Sequence, residues 1–139
     1  MAAGDIACGT SSSGSSCQQL VTSDLLVDGN PDVVLPLGDI QYECGELSEF
    51  QSFYGPSWGR VKDKTRPVPG NHEYETSQDP ASNCPNFPTG APGYYSYFGQ
   101  AASPLDDQCG VECKGYYSYD VGAWHVVALN SNCTRPGIG

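Results

Sequence analysis

Three stretches of the sequence place a glycine directly before a side chain that can bind a metal ion. They are Gly4-Asp5 near the start, Gly38-Asp39, and Gly70-Asn71, which His72 follows. Carboxylate and amide oxygens together with an imidazole are ligands that divalent or trivalent metals accept in proteins. A glycine in such a position lets the backbone turn sharply and approach a bound ion. The three stretches therefore predict one shared site.

The central stretch follows a short apolar run at residues 33–37, which predicts a buried strand. Asp39 would then lie at the carboxyl end of that strand, where open α/β sheets bind their ligands. Upstream, residues 18–27 are predicted to form a helix whose apolar face carries Leu20, Val21 and Leu25, and the sequence Asp28-Gly29-Asn30-Pro31 should end it. The result is a β-α-β unit in which a right-handed crossover brings Asp5 and Asp39 side by side.

The remaining elements follow from spacing. Residues 46–54 have the helical period with aromatic core positions, and residues 66–70 predict a short extended strand that leads into Gly70-Asn71. Residues 74–115 are predicted to be a long loop that is functional or ordered by disulfides. Residues 115–120 and 123–130 predict a β-hairpin whose second strand is buried on both faces, so that His125 would be a core histidine rather than a ligand.

Composition limits the possible partners and the compartment. The chain has 139 residues, enough for one domain, and its net charge of −10 repels nucleic acid and anionic membranes. No segment is long and apolar enough to cross a bilayer, and no signal peptide is visible, so a secreted form would have had its targeting segment removed or would carry it outside this sequence. Seven cysteines without paired CxxC motifs favour disulfides in an oxidising compartment.

The pairing of the cysteines is not fixed by the sequence. Cys8 with Cys17 and Cys109 with Cys113 are close enough to close small loops, and Cys133 is the one expected to be left over.

The three oxygen donors and the imidazole suggest a site for two metals roughly 3.5 to 4 Å apart, bridged by one carboxylate and able to activate a water molecule. Asp39, central in the chain order, is the expected bridge, and Tyr42 could add a phenolate ligand that favours ferric iron. Each residue has a structural alternative. Asp5 could cap the following helix, Asn71 could be a turn residue, and His72 could be a hydrogen-bonded loop histidine.

These motifs carry a resemblance to a known family. Gly4-Asp5, Gly38-Asp39-Ile40-Gln41-Tyr42 and Gly70-Asn71-His72-Glu73 resemble the first three motifs of the calcineurin-like metallophosphoesterase superfamily. The pattern Gly-Asp-x-x-Tyr is most similar to its purple acid phosphatase branch. The resemblance implies Asp5 and Tyr42 on one metal, Asp39 bridging both, Asn71 on the second metal, and His72 as proton donor or phosphate contact.

The same resemblance implies a reaction and its cofactors. The reaction would be hydrolysis of a phosphoester, in a small molecule or a phosphoprotein, by metal-activated water. The cofactors would be two metal ions, iron with zinc, manganese or a second iron, and the protein would be secreted.

The sequence departs from the family pattern in two places. Ala7 stands where many members have a histidine, and the later Gly-His-x-His motif has no counterpart, because the only histidines are His72 and His125. The resemblance therefore implies one partial α/β domain over residues 1–139. This would be the N-terminal half of a four-layer sandwich, β-α-β-α-β followed by a hairpin, truncated at both ends and weakly active or inactive alone.

A second hypothesis assigns the chain no chemistry. A secreted, disulfide-stabilised binding module could use tyrosines as amphipathic contact area. The residues that motivate this alternative are Tyr94, Tyr95, Tyr97, Tyr116, Tyr117 and Tyr119.

Overall fold

A parallel strand pair and the helix that connects its strands form the first part of the fold. The computed structural model describes residues 1–9, 17–75, 84, 88–102 and 115–132, and these ranges have a mixed α/β architecture, as predicted. Strand β1 (Ala2–Ala3) pairs in parallel with β2 (Leu35–Pro36), and helix α1 (Gln19–Gly29) lies between them in sequence. The predicted β-α-β unit is confirmed.

Single parallel bridges extend this pairing on both sides. Ala7 bridges Gln41, while Val34 and Leu37 bridge Thr65 and Val68 of the following extended segment. That segment therefore lies along the other side of β2 and confirms the short extended strand expected before Gly70. The two prolines at positions 67 and 69 lack an N–H, which explains why the pairing is limited to isolated bridges.

The burial predicted for the strand at residues 33–37 is only partly correct. Val34 and Pro36 are buried, whereas Leu37 is 59% exposed. Alternating burial is typical of a strand with one packed face, because successive side chains point to opposite sides. The continuous apolar run therefore does not report burial on both faces.

Helix α1 forms close to its predicted bounds but presents a different face to the core. It ends at Asn30, which adopts a left-handed conformation (φ 41°) and donates its N–H to the Leu26 carbonyl at 3.0 Å. The predicted inward face is wrong, because its three apolar residues are exposed, namely Leu20, Val21 and Leu25. The buried positions are Ser23 and Leu26.

Polar contacts explain that orientation of α1. The 3₁₀ segment Trp58–Lys64 lies beside the helix, and the Trp58 indole donates to the Thr22 hydroxyl at 3.0 Å. The Arg60 guanidinium donates to the Ser23 hydroxyl and to Asp24 Oδ1, the latter at 2.6 Å. These directional bonds fix the helix in a rotation that the apolar spacing did not indicate.

An aromatic core joins the second and third helical segments. The predicted helix at 46–54 is confirmed as α2 (Leu47–Glu49) continuing into a π-helical turn (Phe50–Tyr54). Helix α3 (Pro92–Phe98), followed by a 3₁₀ turn (Gly99–Ala101), packs Phe98 against the rings of Phe50 and Tyr54, and its Tyr94 belongs to the same buried cluster.

Helix α3 contradicts the prediction that residues 74–115 form only a loop. Pro92 in its first turn is favourable because the missing N–H has no helical partner there. Tyr94 and Phe98 lie four residues apart, so both point into the core from one face. The rest of the predicted loop at 76–83, 85–87 and 103–114 lies outside the described residues.

The predicted hairpin is confirmed, but its predicted burial is wrong. Strands β3 (Tyr117–Val121) and β4 (Trp124–Ala128) pair in antiparallel register, joined through Gly122 at φ 58°. Trp124 is 77% exposed and His125 is also exposed, its Nδ1 lying 2.7 Å from Asp120 Oδ1. In the described part of the chain, β4 pairs only with β3, so its outer side chains meet solvent.

The six tyrosines of the binding-module hypothesis are mostly part of the packing. Tyr94 and Tyr117 are buried, Tyr95, Tyr97 and Tyr119 are half-buried, and Tyr116 is exposed.

Two disulfides join the described residues. The Cys8–Cys17 pair is confirmed, and Cys44–Cys84 is a pair that the spacing did not single out. Cys109, Cys113 and Cys133 lie outside the described residues. The helices of the described ranges include none with the length and apolar character needed to cross a bilayer.

Candidate metal centre

The first two predicted ligands follow neighbouring parallel strands and meet at the same edge of the sheet. The backbone N–H of Asp5 donates to the Gly38 carbonyl at 3.3 Å, and that of Ile6 donates to the Asp39 carbonyl at 3.1 Å. Both aspartates have left-handed backbone conformations, with φ of 55° for Asp5 and 47° for Asp39. Such conformations are strained for residues other than glycine and concentrate at functional sites.

Tyr42 links the two carboxylates. Its hydroxyl donates to Asp5 Oδ1 at 2.5 Å and lies 3.4 Å from Asp39 Oδ2. Burial, the hydrogen bond to Asp5 and the negative charge of both aspartates raise the pKa of Tyr42 above its ordinary value. One phenolic proton therefore lies between two carboxylates.

Each of the three glycine-led stretches forms one corner of the site: Gly4-Asp5, Gly38-Asp39 and Gly70-Asn71-His72. The third corner packs against Asp39. The backbone N–H of His72 donates to Asp39 Oδ1 at 3.0 Å. The two oxygens of this carboxylate therefore contact His72 and the Tyr42 hydroxyl respectively. Asn71 lines a cleft of about 210 Å³ together with Asp5 and Asp39. The His72 ring packs on the Tyr42 ring, with centroids 4.4 Å apart. All five predicted site residues are thus brought to one place.

The protonation of the His72 ring follows from one hydrogen bond. Its Nδ1 lies 2.7 Å from the carbonyl oxygen of Glu43, and a carbonyl oxygen can only accept. Nδ1 must therefore carry a proton in this arrangement. Nε2 is then the nitrogen that can take up or release a proton.

Two glycines permit the close approach of the corners. A Cβ on Gly38, where φ is 100°, would lie 2.8 Å from the Gly70 Cα and 2.9 Å from its nitrogen. Glycine at position 38 therefore allows these two backbones to touch, whereas the expected approach of the backbone to a bound ion stays a prediction.

Glu73 is a residue of this site to which the sequence analysis gave no role. It is 2% exposed, and its Oε1 accepts the N–H groups of Ile40 and Gln41 at 2.8 and 3.1 Å, while its Oε2 accepts that of Gly70 at 2.7 Å. Burial raises the pKa of Glu73 to about 6 against the lowering effect of these bonds. Its place directly after His72 was visible in the sequence, but its burial was not.

The segment after β4 also lines the cleft, which the sequence analysis did not predict. Leu129, Ser131 and Asn132 line it. The Asn132 side chain donates to the Pro69 carbonyl at 3.2 Å and to Asn130 Oδ1 at 3.0 Å. The signal available in the sequence was the run of small polar residues that ends the last strand.

The ligand set of this cleft is oxygen-rich. In the ranges that the structure describes, no group of three or more His, Cys, Asp or Glu side chains is placed to hold a metal. The candidate set instead combines the two carboxylates of Asp5 and Asp39 with the phenol of Tyr42 and the amide of Asn71.

Comparison with known proteins adds no relative to this description. A scan against protein-family models, a search of curated proteins and a search of solved structures each found no match to the chain.

Proposed function

We propose that this chain carries the metal-binding corners of a metal-dependent phosphoester hydrolase. The observation that carries the proposal is the meeting of Asp5 and Asp39 at one sheet edge, both in left-handed backbone conformations and both facing the Tyr42 hydroxyl. Strained backbone conformations at two acidic residues that lie close together in space are typical of a functional site.

The electrostatics of the cleft favour a cation. Asp5 and Asp39 converge, yet the two ion pairs formed among the described residues, Arg60 with Asp24 and His125 with Asp120, involve neither. Converging carboxylates without a basic partner repel each other, and a bound cation relieves that repulsion.

The donor types also fit the proposed cofactors. Asp5, Asp39 and Asn71 offer the hard oxygen ligands that suit divalent and trivalent ions, and the Tyr42 phenol suits ferric iron. The proposed pair is iron with zinc, manganese or a second iron, and Asp39 would be one of its ligands. Bound metals would polarise the phosphoryl group and supply an activated water molecule at neutral pH.

The chain's own residues have separable tasks in this proposal. Asp5, Asp39, Tyr42 and Asn71 would hold the ions. The Nδ1 bond of His72 to the Glu43 carbonyl orients the ring, so that in the imidazolium form Nε2 would be the atom that donates a proton to the leaving group or a hydrogen bond to the phosphate. The cleft between Asn71 and Asn132 is where the phosphoester lies.

The proposal extends to the fold of the whole domain, the substrate and the compartment. The chain would be the N-terminal half of a four-layer α/β sandwich, and the substrate a phosphorylated small molecule or phosphoprotein. The net charge of −10 disfavours nucleic acids. Disulfides such as Cys44–Cys84 suit a secreted protein.

Ferric iron provides the test of the site, because an iron-bound tyrosinate absorbs visible light. The chain is titrated with Fe³⁺ as wild type, Tyr42→Phe and Tyr116→Phe, the last being an exposed tyrosine outside the lining of the cleft. A visible band in the wild type and in Tyr116→Phe, but not in Tyr42→Phe, is expected. The same band in all three proteins, or none in the wild type, would contradict the site.

A second measurement tests the reaction. Hydrolysis of p-nitrophenyl phosphate is followed with Fe³⁺ and Zn²⁺ or Mn²⁺ present, for the wild type and Asp39→Asn. We expect a weak, metal-dependent rate in the wild type that Asp39→Asn abolishes. An equal rate in the two proteins would show that Asp39 has no part in hydrolysis.

A further inference from the structure

Glu73 connects two segments of backbone that carry different proposed ligands. Ile40 and Gln41, which bond its Oε1, come directly after Asp39, and Gly70, which bonds its Oε2, comes directly before Asn71. Ile40 and Glu73 are 33 residues apart in the sequence, so the bond between them is a long-range contact. One carboxylate thus satisfies three backbone N–H groups on two corners.

Because the Glu73 carboxylate is buried, it depends on these three hydrogen bonds. Glu73 is 2% exposed, and a buried charge is tolerated only where hydrogen bonds replace its hydration. The three N–H groups would likewise be unsatisfied without it. A Cβ on Gly45, where φ is 60°, would lie 2.9 Å from the Glu73 Cα, so the chain leaves space for Glu73 at this point.

A second bond joins the same corners closer to the cleft. The backbone N–H of His72 donates to Asp39 Oδ1 at 3.0 Å. This bond uses an oxygen of a proposed ligand, whereas the Glu73 bonds use only backbone groups. Glu73 can therefore hold the corners together without occupying a ligand atom.

We propose that Glu73 is a positioning residue: through these three backbone bonds its carboxylate holds Asp39 and Asn71 in register, so that both face one ion site. It is neither a ligand nor a proton donor. The inference rests on the proposed function for the purpose that the register serves, while the connection itself can be tested without a metal.

The test uses the full 139-residue chain labelled with ¹⁵N, as wild type, Glu73→Gln and Glu46→Gln. Glu46 is the matched control, since its side chain loses the same charge and its carboxylate accepts the Ser48 hydroxyl outside the corners. Two quantities are measured, namely amide hydrogen exchange at Ile40, Gln41 and Gly70, and the affinity for Mn²⁺ from paramagnetic broadening of the Asp39 and Asn71 amides.

Glutamine has one oxygen acceptor and one amino donor, so it cannot accept from both corners at once. In Glu73→Gln we expect exchange at Gly70, or at Ile40 and Gln41 together, to accelerate at least about tenfold. Mn²⁺ affinity of the folded protein should fall about ten- to hundredfold. Glu46→Gln should change neither quantity.

Several outcomes would overturn the proposal. One is unchanged exchange at all three amides in Glu73→Gln. Another is a Glu73→Gln protein of lower stability whose folded form keeps its Mn²⁺ affinity, which would show that Glu73 is only a structural residue. If Glu73→Gln does not fold, Glu73→Asp replaces it, because this variant keeps the charge but is shorter by one methylene group. Wild-type behaviour of Glu73→Asp would equally contradict the proposal.

The wild type alone provides a measurement that needs no variant. Since one carboxylate protects all three amides, they should exchange with the same free energy of opening, and three unrelated values would contradict the connection. Absence of Mn²⁺ binding to the wild type at millimolar concentration would instead refute the proposed function. The exchange data would then still decide whether Glu73 ties the corners.

Discussion

Gly70 and Asp39 are in contact at the level of the backbone. A methyl group on Gly70 would overlap the amide nitrogen and the carboxylate oxygen of Asp39 and would lie 2.9 Å from its Cγ. Because Gly70 precedes Asn71, this contact sets how close the second and third corners of the site can come. A residue without a side chain is required here for reasons of space.

The first prediction concerns this contact. Gly70→Ala should lower the free energy of unfolding by about 1–3 kcal/mol, because the methyl group meets the Asp39 backbone and carboxylate. Urea denaturation followed by circular dichroism measures the change. Gly29→Ala is the control, since its Cβ would meet only the flexible end of Met1 at 3.0 Å, and this helical position should gain stability or stay unchanged. Equal stability of Gly70→Ala and wild type would contradict the contact.

The second prediction ranks the two disulfides. Cys44–Cys84 spans 40 residues and Cys8–Cys17 spans 9, so the chain-entropy relation gives about 4 and about 2.6 kcal/mol respectively. Replacing each pair with serine should therefore destabilise the protein more for the longer loop. Thermal and urea unfolding of the two double variants measure the order, and the reverse order would show that loop closure is not the main term.

The third prediction concerns two tyrosines that share one acceptor. The hydroxyls of Tyr94 and Tyr117 donate to the Pro67 carbonyl at 3.0 and 2.7 Å. Tyr94→Phe and Tyr117→Phe should each cost about 1 kcal/mol, since the other hydroxyl still satisfies the carbonyl. The double variant should cost more than the sum, because the buried carbonyl then loses both partners. A double-mutant cycle in urea measures this coupling, and strict additivity would refute it.

The fourth prediction is a loss of stability at alkaline pH. Burial raises the pKa of Tyr94 well above its ordinary value of 10.0. An acid whose folded-state pKa is raised stabilises the fold fully below its unfolded pKa, and this contribution is lost as the pH rises toward the folded value. The free energy of unfolding should therefore decrease above about pH 10.

Tyr94→Phe provides the check on this assignment. The variant lacks the ionisable group, so its stability should fall less steeply above about pH 10, by up to about 1.4 kcal/mol per pH unit. Between about pH 6 and 8 the two proteins should show parallel pH dependence, because tyrosine is neutral in both states there. Identical slopes above about pH 10 would show that Tyr94 does not titrate differently in the two states.

The sequence by itself determined the local elements around the site. The apolar run before Gly38-Asp39, the helix stop at residues 28–31 and the tight turn at Gly122 are set by neighbours in the chain, and the β-α-β unit and the hairpin formed as predicted. The identities of Asp5, Asp39, Tyr42, Asn71 and His72 as one group also followed from sequence. Their spacing relative to the predicted strand ends placed them at a common edge.

The tertiary structure decided which surfaces are covered and which distant groups are bonded. Leu25 of α1 and Trp124 of β4 are exposed although their patterns are apolar, because burial depends on what packs against an element and not on the element alone. Glu73 is the converse case, a charged residue that is buried. Its place at the end of the motif Gly70-Asn71-His72-Glu73 does not predict its burial, and only the approach of the Asp39 and Gly70 corners makes it a buried acceptor of three backbone bonds.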